Sequence, residues 1–245
     1  AFLIVGPHRL VAQTPASHDE ELIPTRIQAM EKKYGLQIFY RSFSPLEKEK
    51  VIFKLPEPDD YETLARFIKI FDKELAKYPV NFFRRGRFLS VVFVKRSFYD
   101  EKPAEGLYNA GGHFILIDFS RNKGHTAVQR RNIHHELFHM IEIESRIEGR
   151  VITGWEKMNP TGFAYGPLKD RVLPPGGNKY NHMAPAIPGF LTEYSTTAPE
   201  EDRAEIFASL MIPSSQAVLL RWAKKDSHLA EKMAALKKFL LEYDS

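Results

Sequence analysis

Helical and extended patterns alternate along the first half of the chain. Apolar positions recur at helical spacing from Ile23 to Tyr34, and Gly35 at the C′ position predicts where that helix ends. Alternating apolar and polar residues then predict a strand from Leu36 to Arg41. A second helix is predicted from Asp59 to about Lys77, because an apolar stripe follows its two acidic N-terminal residues. The stripe consists of Leu64, Phe67, Ile68, Phe71 and Leu75.

Two apolar runs near the middle of the chain predict buried strands. They extend from Phe88 to Lys95 and from His113 to Phe119. A long helix is predicted to follow from about Thr126 to Ser145, with Thr126 and Gln129 forming a capping box. Helices and strands interspersed in this way predict an α+β fold with a mixed sheet.

The last hundred residues begin with an irregular segment and end in helices. Residues 149–192 contain seven Gly and six Pro, yet their aromatic residues favour an ordered wrapping loop over disorder. One helix is predicted from about Pro199 to Pro213, and the remainder, Ser214 to Tyr243, is predicted to be helical. The core-facing stripe of that last helix is Leu229, Met233, Leu236 and Leu240.

Composition and charge exclude several classes of function. The 245 residues include no cysteine, so disulfides, cysteine nucleophiles and thiolate metal sites are ruled out. The net charge is +4, and the densest basic stretch is Arg84-Arg85-Gly86-Arg87. Because 31 acidic residues are interspersed with the basic ones, we expect no nucleic-acid partner. We also expect no transmembrane segment, because no stretch is long and apolar enough.

The segment His135-Glu136-Leu137-Phe138-His139 carries the candidate chemistry. Residues four apart share one helix face, so His135 and His139 present two imidazoles to one point, as a tetrahedral zinc ion requires. Glu136 lies about 100° around the helix, where it can act as general base on a zinc-activated water without being a ligand. The neighbouring His134 points elsewhere on the helix, so we expect a structural role or exposure to solvent and not metal ligation. The opposite face offers Ile133, Leu137 and Ile141 as anchors.

A catalytic zinc site needs a third protein ligand, and the sequence offers several candidates. Glu142 and Ser145 stand where a metzincin would have Gly and His, so that subclass is excluded. Glu201 and Glu205 lie four apart on a later predicted helix, so one carboxylate could bind zinc while the other hydrogen-bonds a ligand imidazole. A plain acidic first turn, favoured by the helix dipole, explains Glu205 less well. Among the remaining histidines, His182 in the wrapping loop is the best alternative ligand.

The segment from Tyr194 to Glu205 resembles the second motif of the putative zinc-binding metallopeptidases, a largely bacterial lipoprotein family. It resembles the catalytic domain of anthrax lethal factor more distantly. In that group a Tyr precedes the ligand Glu by seven residues and a second Glu follows it by four, as Tyr194, Glu201 and Glu205 do here. The segments Trp155 to Gly166 and Glu31 to Gly35 resemble the same family more weakly. One departure is Arg203, where relatives usually carry an aromatic residue.

The resemblance implies a gluzincin with a zincin-like metallopeptidase fold. In that case His135, His139 and Glu201 would bind zinc, and Glu205 would hydrogen-bond the imidazole of a zinc ligand. Tyr194 would assist the tetrahedral intermediate, since a phenolic hydroxyl can donate to a developing oxyanion.

The resemblance also implies how a peptide substrate binds. The strand His113–Asp118 would form the upper rim of the cleft, and the substrate would pair with it as an additional strand. Gly112, His113 and Phe114 would then contact the substrate.

We therefore expect a zinc-dependent peptidase, most simply an endopeptidase, acting on a peptide or protein. Residues 1–148, with the edge strand and the active-site helix, and residues 149–245, with the third zinc ligand, would form one catalytic unit. Two alternatives stay open: a catalytically inactive zincin-fold binding protein that retains zinc, and a basic module that binds nucleic acid or another surface. Other divalent ions also suit two histidines and a carboxylate. The resemblance alone implies a secreted or cell-envelope location.

Overall fold

The computed structural model describes residues 21–43, 51–79, 82–84, 89–99, 102–104, 106–109, 113–167, 183 and 187–244. The helices in this part of the chain are α1 (Ile23–Tyr34), α2 (Tyr61–Leu75), α3 (Thr126–Ile147), α4 (Pro199–Leu210), α5 (Pro213–Ala223) and α6 (Ser227–Asp244). The strands are β1 (Gln37–Phe39), β2 (Val51–Lys54), β3 (Ser90–Val94), β4 (Arg96–Tyr99), β5 (Lys102–Ala104), β6 (Gly106–Asn109) and β7 (Phe114–Asp118).

Two sheets organise these strands. The larger is a four-stranded mixed sheet in the order β1-β3-β7-β6, in which β1, β3 and β7 are parallel and β6 is antiparallel to β7. The smaller is an antiparallel sheet in the order β2-β4-β5. The predicted α+β class and mixed sheet are therefore confirmed, whereas strands β2, β4, β5 and β6 were not predicted.

The strand order corrects one expectation about the cleft. The strand His113–Asp118 was expected to form its rim, but β7 is an interior strand because β3 and β6 flank it. Among the described residues, β6 is the outermost strand on that side of the sheet. Its register places Gly106 opposite Ile117 and Asn109 opposite Phe114.

The two faces of the mixed sheet are covered differently. Successive side chains of a strand point to opposite faces. Phe93 of β3 packs edge to face against Phe67 and Phe71 of α2, so helices cover one face. Val92 and Val94 belong to a separate cluster in which Val51 and Phe53 of β2 take part, so the small sheet covers the other face.

Two predicted helix boundaries are confirmed, and one predicted helix cap is wrong. Helix α1 ends at Gly35, whose φ of 72° is left-handed, and α4 ends before Pro213. The capping box at the start of α3 is absent, because the Gln129 side chain donates instead to the Phe119 carbonyl at 3.1 Å.

The predicted C-terminal helix is interrupted at residues 224–226. The Asp226 carboxylate accepts the Leu229 N–H at 3.1 Å, which starts α6 as a separate helix. The same carboxylate accepts the Gly189 N–H at 2.6 Å, so the break also anchors the end of the wrapping loop.

In the described part of the chain no single helix has the length and apolar character to cross a membrane. Helices α4 and α5 taken together have the length and composition of a membrane-spanning segment, but they are bent by 115° relative to each other.

Candidate metal centre

Helices α3 and α4 pack together and carry the side chains of the candidate site. Ile133, Leu137 and Ile141 of α3 are buried and hold that helix in the core, as its apolar spacing predicted. The polar face of α3 is buried as well, because α4 lies against it. His135 and Glu136 each retain only 7% of their exposure.

Three potential ligand atoms converge between the two helices. Nε2 of His135 lies 3.1 Å from Nε2 of His139 and 2.9 Å from Oε2 of Glu201. Nε2 of His139 lies 3.5 Å from the same Glu201 oxygen. These residues form the one group in the described part of the chain whose ligand atoms could together hold a metal ion.

The spacing of these atoms fits a tetrahedral ion. With metal–ligand distances of about 2.0–2.1 Å, two ligands at a tetrahedral angle lie about 3.3 Å apart. The three separations of 2.9, 3.1 and 3.5 Å bracket that value. Imidazole nitrogens and a carboxylate oxygen are also ligands that zinc accepts. The residues therefore fit zinc, and His135, His139 and Glu201 would hold it.

Glu205 determines which nitrogen of His135 faces this point. Its Oε1 lies 3.0 Å from Nδ1 of His135, so Nδ1 donates and Nε2 is left for the metal. Glu205 is itself held by Arg131, which donates to Oε1 at 2.6 Å, and by the Thr192 hydroxyl, which donates to Oε2 at 2.8 Å. Glu205 is buried, as are both of these partners.

The electrostatics of the site favour positive charge. Burial lowers the pKa of His135, but its hydrogen bonds with Glu201 and Glu205 outweigh this effect and raise the pKa to about 10. Burial raises the pKa of Glu201, but its hydrogen bonds with His135 and His139 lower the pKa well below its ordinary value. The two glutamates thus favour positive charge at the His135 imidazole, and the same carboxylates would favour a cation between these groups.

Tyr194 lies beside the converging ligands. Its ring centroid is 5.9 Å from that of His135. Burial raises the pKa of Tyr194 well above its ordinary value, and the charges of Glu201 and Glu136 raise it further. The hydroxyl therefore keeps its proton at neutral pH and can act as a hydrogen-bond donor.

A buried group of polar residues, not predicted from the sequence, supports α4 next to Glu201. Asp202 Oδ2 accepts hydrogen bonds from the Trp155 indole at 2.9 Å, the Tyr165 hydroxyl at 2.8 Å and Lys232 Nζ at 2.7 Å. Asp202 and Lys232 are both fully buried. The wrapping loop and α6 are thus tied to the residue that follows the candidate ligand. The only sequence hint was a lysine beside the apolar stripe of α6.

Arg203, which stands where the resembled family usually has an aromatic residue, has a clear role in packing. Its Nε lies 2.5 Å from Oε1 of Glu142, and both side chains are buried. Glu142 belongs to α3 and Arg203 to α4, so this ion pair joins the two helices that carry the candidate ligands.

His134 is turned away from the converging ligands, which is consistent with a structural role. It is fully buried, with Nδ1 2.7 Å from the Tyr78 hydroxyl and Nε2 2.8 Å from Oε2 of Glu74. Burial lowers the pKa of His134, so the ring is neutral and Nε2–H donates to Glu74. Arg130 also donates to Glu74, at 2.6 Å.

The remaining predicted residues are the three expected substrate contacts and the alternative zinc ligand. Gly112 and the alternative ligand His182 lie outside the described residues. Phe114 is buried in the cluster between the two sheets. His113, at the start of β7, is buried and has a left-handed φ of 51°.

Comparison with known proteins supports the fold. No protein-family model matches the sequence, and no curated protein matches it significantly. Among solved structures, the chain is similar to a "putative zinc-binding metallo-peptidase" from Bacteroides caccae ATCC 43185. The TM-score is 0.54 and the sequence identity 18%, over 93% of this chain and 87% of that chain. The chain therefore has a metallopeptidase-like α+β fold.

Proposed function

We propose that this protein is a zinc-dependent peptidase of the gluzincin type with a zincin-like fold. The observation that carries the proposal is the convergence of His135, His139 and Glu201 within 3.5 Å of one another. A chance pair of histidines on a surface helix would not meet a partly buried carboxylate from a second helix at tetrahedral spacing. The fold similarity supports the same class of protein.

The residues around the ligands have separate tasks in peptide hydrolysis. Zinc, when bound, supplies Lewis acidity that lowers the pKa of water and polarises a carbonyl group. The Glu136 carboxylate takes a proton from the attacking water and later passes it to the leaving nitrogen. The protonated Tyr194 hydroxyl donates a hydrogen bond to the oxyanion that develops on the scissile carbonyl. Glu205 keeps His135 in the tautomer that binds metal.

A peptide substrate is proposed to lie along β6 and not along β7. Strand β6 is the outermost described strand of the mixed sheet, and it lies directly against Glu136. All four of its residues are partly exposed. Main-chain pairing along such a strand binds peptides with little demand on their sequence.

The test combines metal analysis with a peptide-library cleavage assay on the wild type and Glu136→Gln. Zinc at one equivalent per chain in both proteins, with cleavage by the wild type alone, is the expected result, because the amide cannot accept the proton. Equal cleavage by the two proteins would show that Glu136 is not the base.

The same assay separates the alternatives. Stoichiometric zinc without cleavage of any unstructured substrate would indicate a zinc-retaining binding protein. Absence of zinc binding in the wild type would overturn the metal site itself.

A further inference from the structure

Strand β6 approaches α3 so closely at Gly106 that a side chain there would overlap the Glu136 side chain. A Cβ atom built on Gly106 would lie 2.5 Å from Cγ and 2.6 Å from Cδ of Glu136, distances that real Cβ atoms do not adopt. Gly106 is not among the residues with positive φ, so its backbone conformation is open to alanine. The three atoms nearest to that Cβ all belong to the Glu136 side chain, so the conflict is with this side chain first.

Contacts two residues further along β6 keep the strand in this position. Gly106 and Tyr108 point to the same side of the strand because side chains alternate. The Tyr108 hydroxyl lies 3.0 Å from Nδ1 of His113 and donates to Oε1 of Glu144 at 3.4 Å. Glu144 lies on α3 about two turns after Glu136. The strand is thus held to α3 and cannot easily retreat from Glu136.

We propose that Gly106 is a positioning residue for the catalytic carboxylate of Glu136. The missing side chain at position 106 is the space that the Glu136 side chain occupies beneath β6. A residue with a Cβ would displace the carboxylate while leaving the three metal ligands in place. This inference rests on the proposed function and assigns a role to a residue outside every recognised motif.

The first test is the variant Gly106→Ala, with Gly166→Ala as the matched control. A Cβ on Gly166 meets no atom within 4 Å, so the control adds the same methyl group in open space. We expect Gly106→Ala to bind zinc at the wild-type stoichiometry and to lose about a hundredfold in kcat with little change in KM, because displacing a reacting group by about 1 Å costs that much. Gly166→Ala should match the wild type.

A double-mutant cycle distinguishes positioning from general damage. Any residual kcat that Glu136→Gln retains should fall no further when Gly106→Ala is added, because the base is already absent. A loss of the same size in both backgrounds would overturn the proposal.

Two measurements decide the inference without activity. A crystal structure of Gly106→Ala should show the Glu136 carboxylate displaced by about 1 Å or more, with the ligand side chains unmoved. Gly106→Ala should also shift the urea midpoint of unfolding less in a Glu136→Ala background, because alanine has none of the three atoms that the new Cβ would contact. An unmoved carboxylate, or an equal shift in both backgrounds, would contradict the proposal. If the wild type cleaves no peptide, the proposed function fails while these two measurements still decide the role of Gly106.

Discussion

Oε1 of Glu205 lies 3.0 Å from Nδ1 of His135, which directs the other nitrogen of that imidazole toward His139 and Glu201. Glu205 is buried and makes three side-chain contacts, with His135, Arg131 and Thr192. It therefore fixes both the tautomer and the orientation of a candidate ligand without approaching the metal position itself.

This relationship predicts different metal affinities for two glutamate variants. Glu201→Ala should abolish stoichiometric zinc binding, because it removes a ligand. Glu205→Ala should weaken binding by about ten- to a hundredfold, because it releases only the support of His135. Zinc affinity, measured by chelator competition, checks both expectations.

Glu200→Gln is the control for these variants, because Glu200 is about half exposed at the start of the same helix and should leave the affinity unchanged. Full zinc occupancy in Glu201→Ala together with loss in Glu205→Ala would mean that the ligand assignment is reversed.

Tyr194→Phe should lower kcat by about a hundredfold or more while zinc content stays at the wild-type level, because the variant loses only a donor to the oxyanion. Burial and the nearby carboxylates keep the pKa of Tyr194 above its ordinary value, so its hydroxyl does not ionise near neutral pH. Any decline of kcat/KM between pH 7 and 10 should therefore persist unchanged in Tyr194→Phe. Disappearance of that decline in the variant would assign the titration to Tyr194 and contradict the pKa direction.

The sequence predicted the elements whose signal is local. Helix α1 and its end at Gly35, the apolar stripe of α2 and the span of α3 all follow from apolar spacing and glycine placement. The residues that support the site are held by contacts between distant segments. Lys232 could not be predicted to be buried, because its partner Asp202 lies thirty residues earlier, on another helix.

Strand β6 shows a second reason for incomplete prediction. It has four residues, all partly exposed, so it lacks the alternation that identifies longer strands. Its position at the outside of the sheet depends on pairing with β7, which is a property of the assembled fold. For the same reason β7 was mistaken for the rim strand.

The buried Glu74 predicts a loss of stability in acid. Burial raises the pKa of Glu74, but hydrogen bonds with His134, Lys77 and Arg130 outweigh it and lower the pKa from 4.5 to about 2. A carboxyl group with a depressed pKa stabilises the fold above its unfolded pKa and loses that contribution as the pH falls through the folded value. Stability should therefore decline between about pH 4.5 and 2, by on the order of 3 kcal/mol from this group.

Urea unfolding at several pH values in that window measures the effect. Glu74→Gln should be less stable than the wild type at pH 7 and should show a shallower decline toward pH 2. Glu62→Gln, at an exposed pair with Arg66, should keep the wild-type slope. An unchanged slope in Glu74→Gln would assign the acid sensitivity to other carboxyl groups.

The Asp202–Lys232 pair predicts a large stability cost from a single substitution. Lys232→Met removes the cation 2.7 Å from Asp202 and leaves a carboxylate buried with only the Trp155 and Tyr165 donors. Breaking a buried pair by removing one partner costs about 3–5 kcal/mol, because the remaining charge is uncompensated. Urea unfolding should show a loss of this size.

Two comparisons make this expectation specific to the buried pair. Lys238→Met removes a cation 3.9 Å from Glu242 at an exposed site, where a pair contributes less than about 1 kcal/mol. In the double variant with Asp202→Asn, part of the stability lost in Lys232→Met should return, because no charge is then left unpaired. If Lys232→Met costs no more than Lys238→Met, the pair does not hold α6 and the wrapping loop to α4. In that case the hydrogen bonds from Trp155 and Tyr165 must hold Asp202, the residue that follows Glu201, in place.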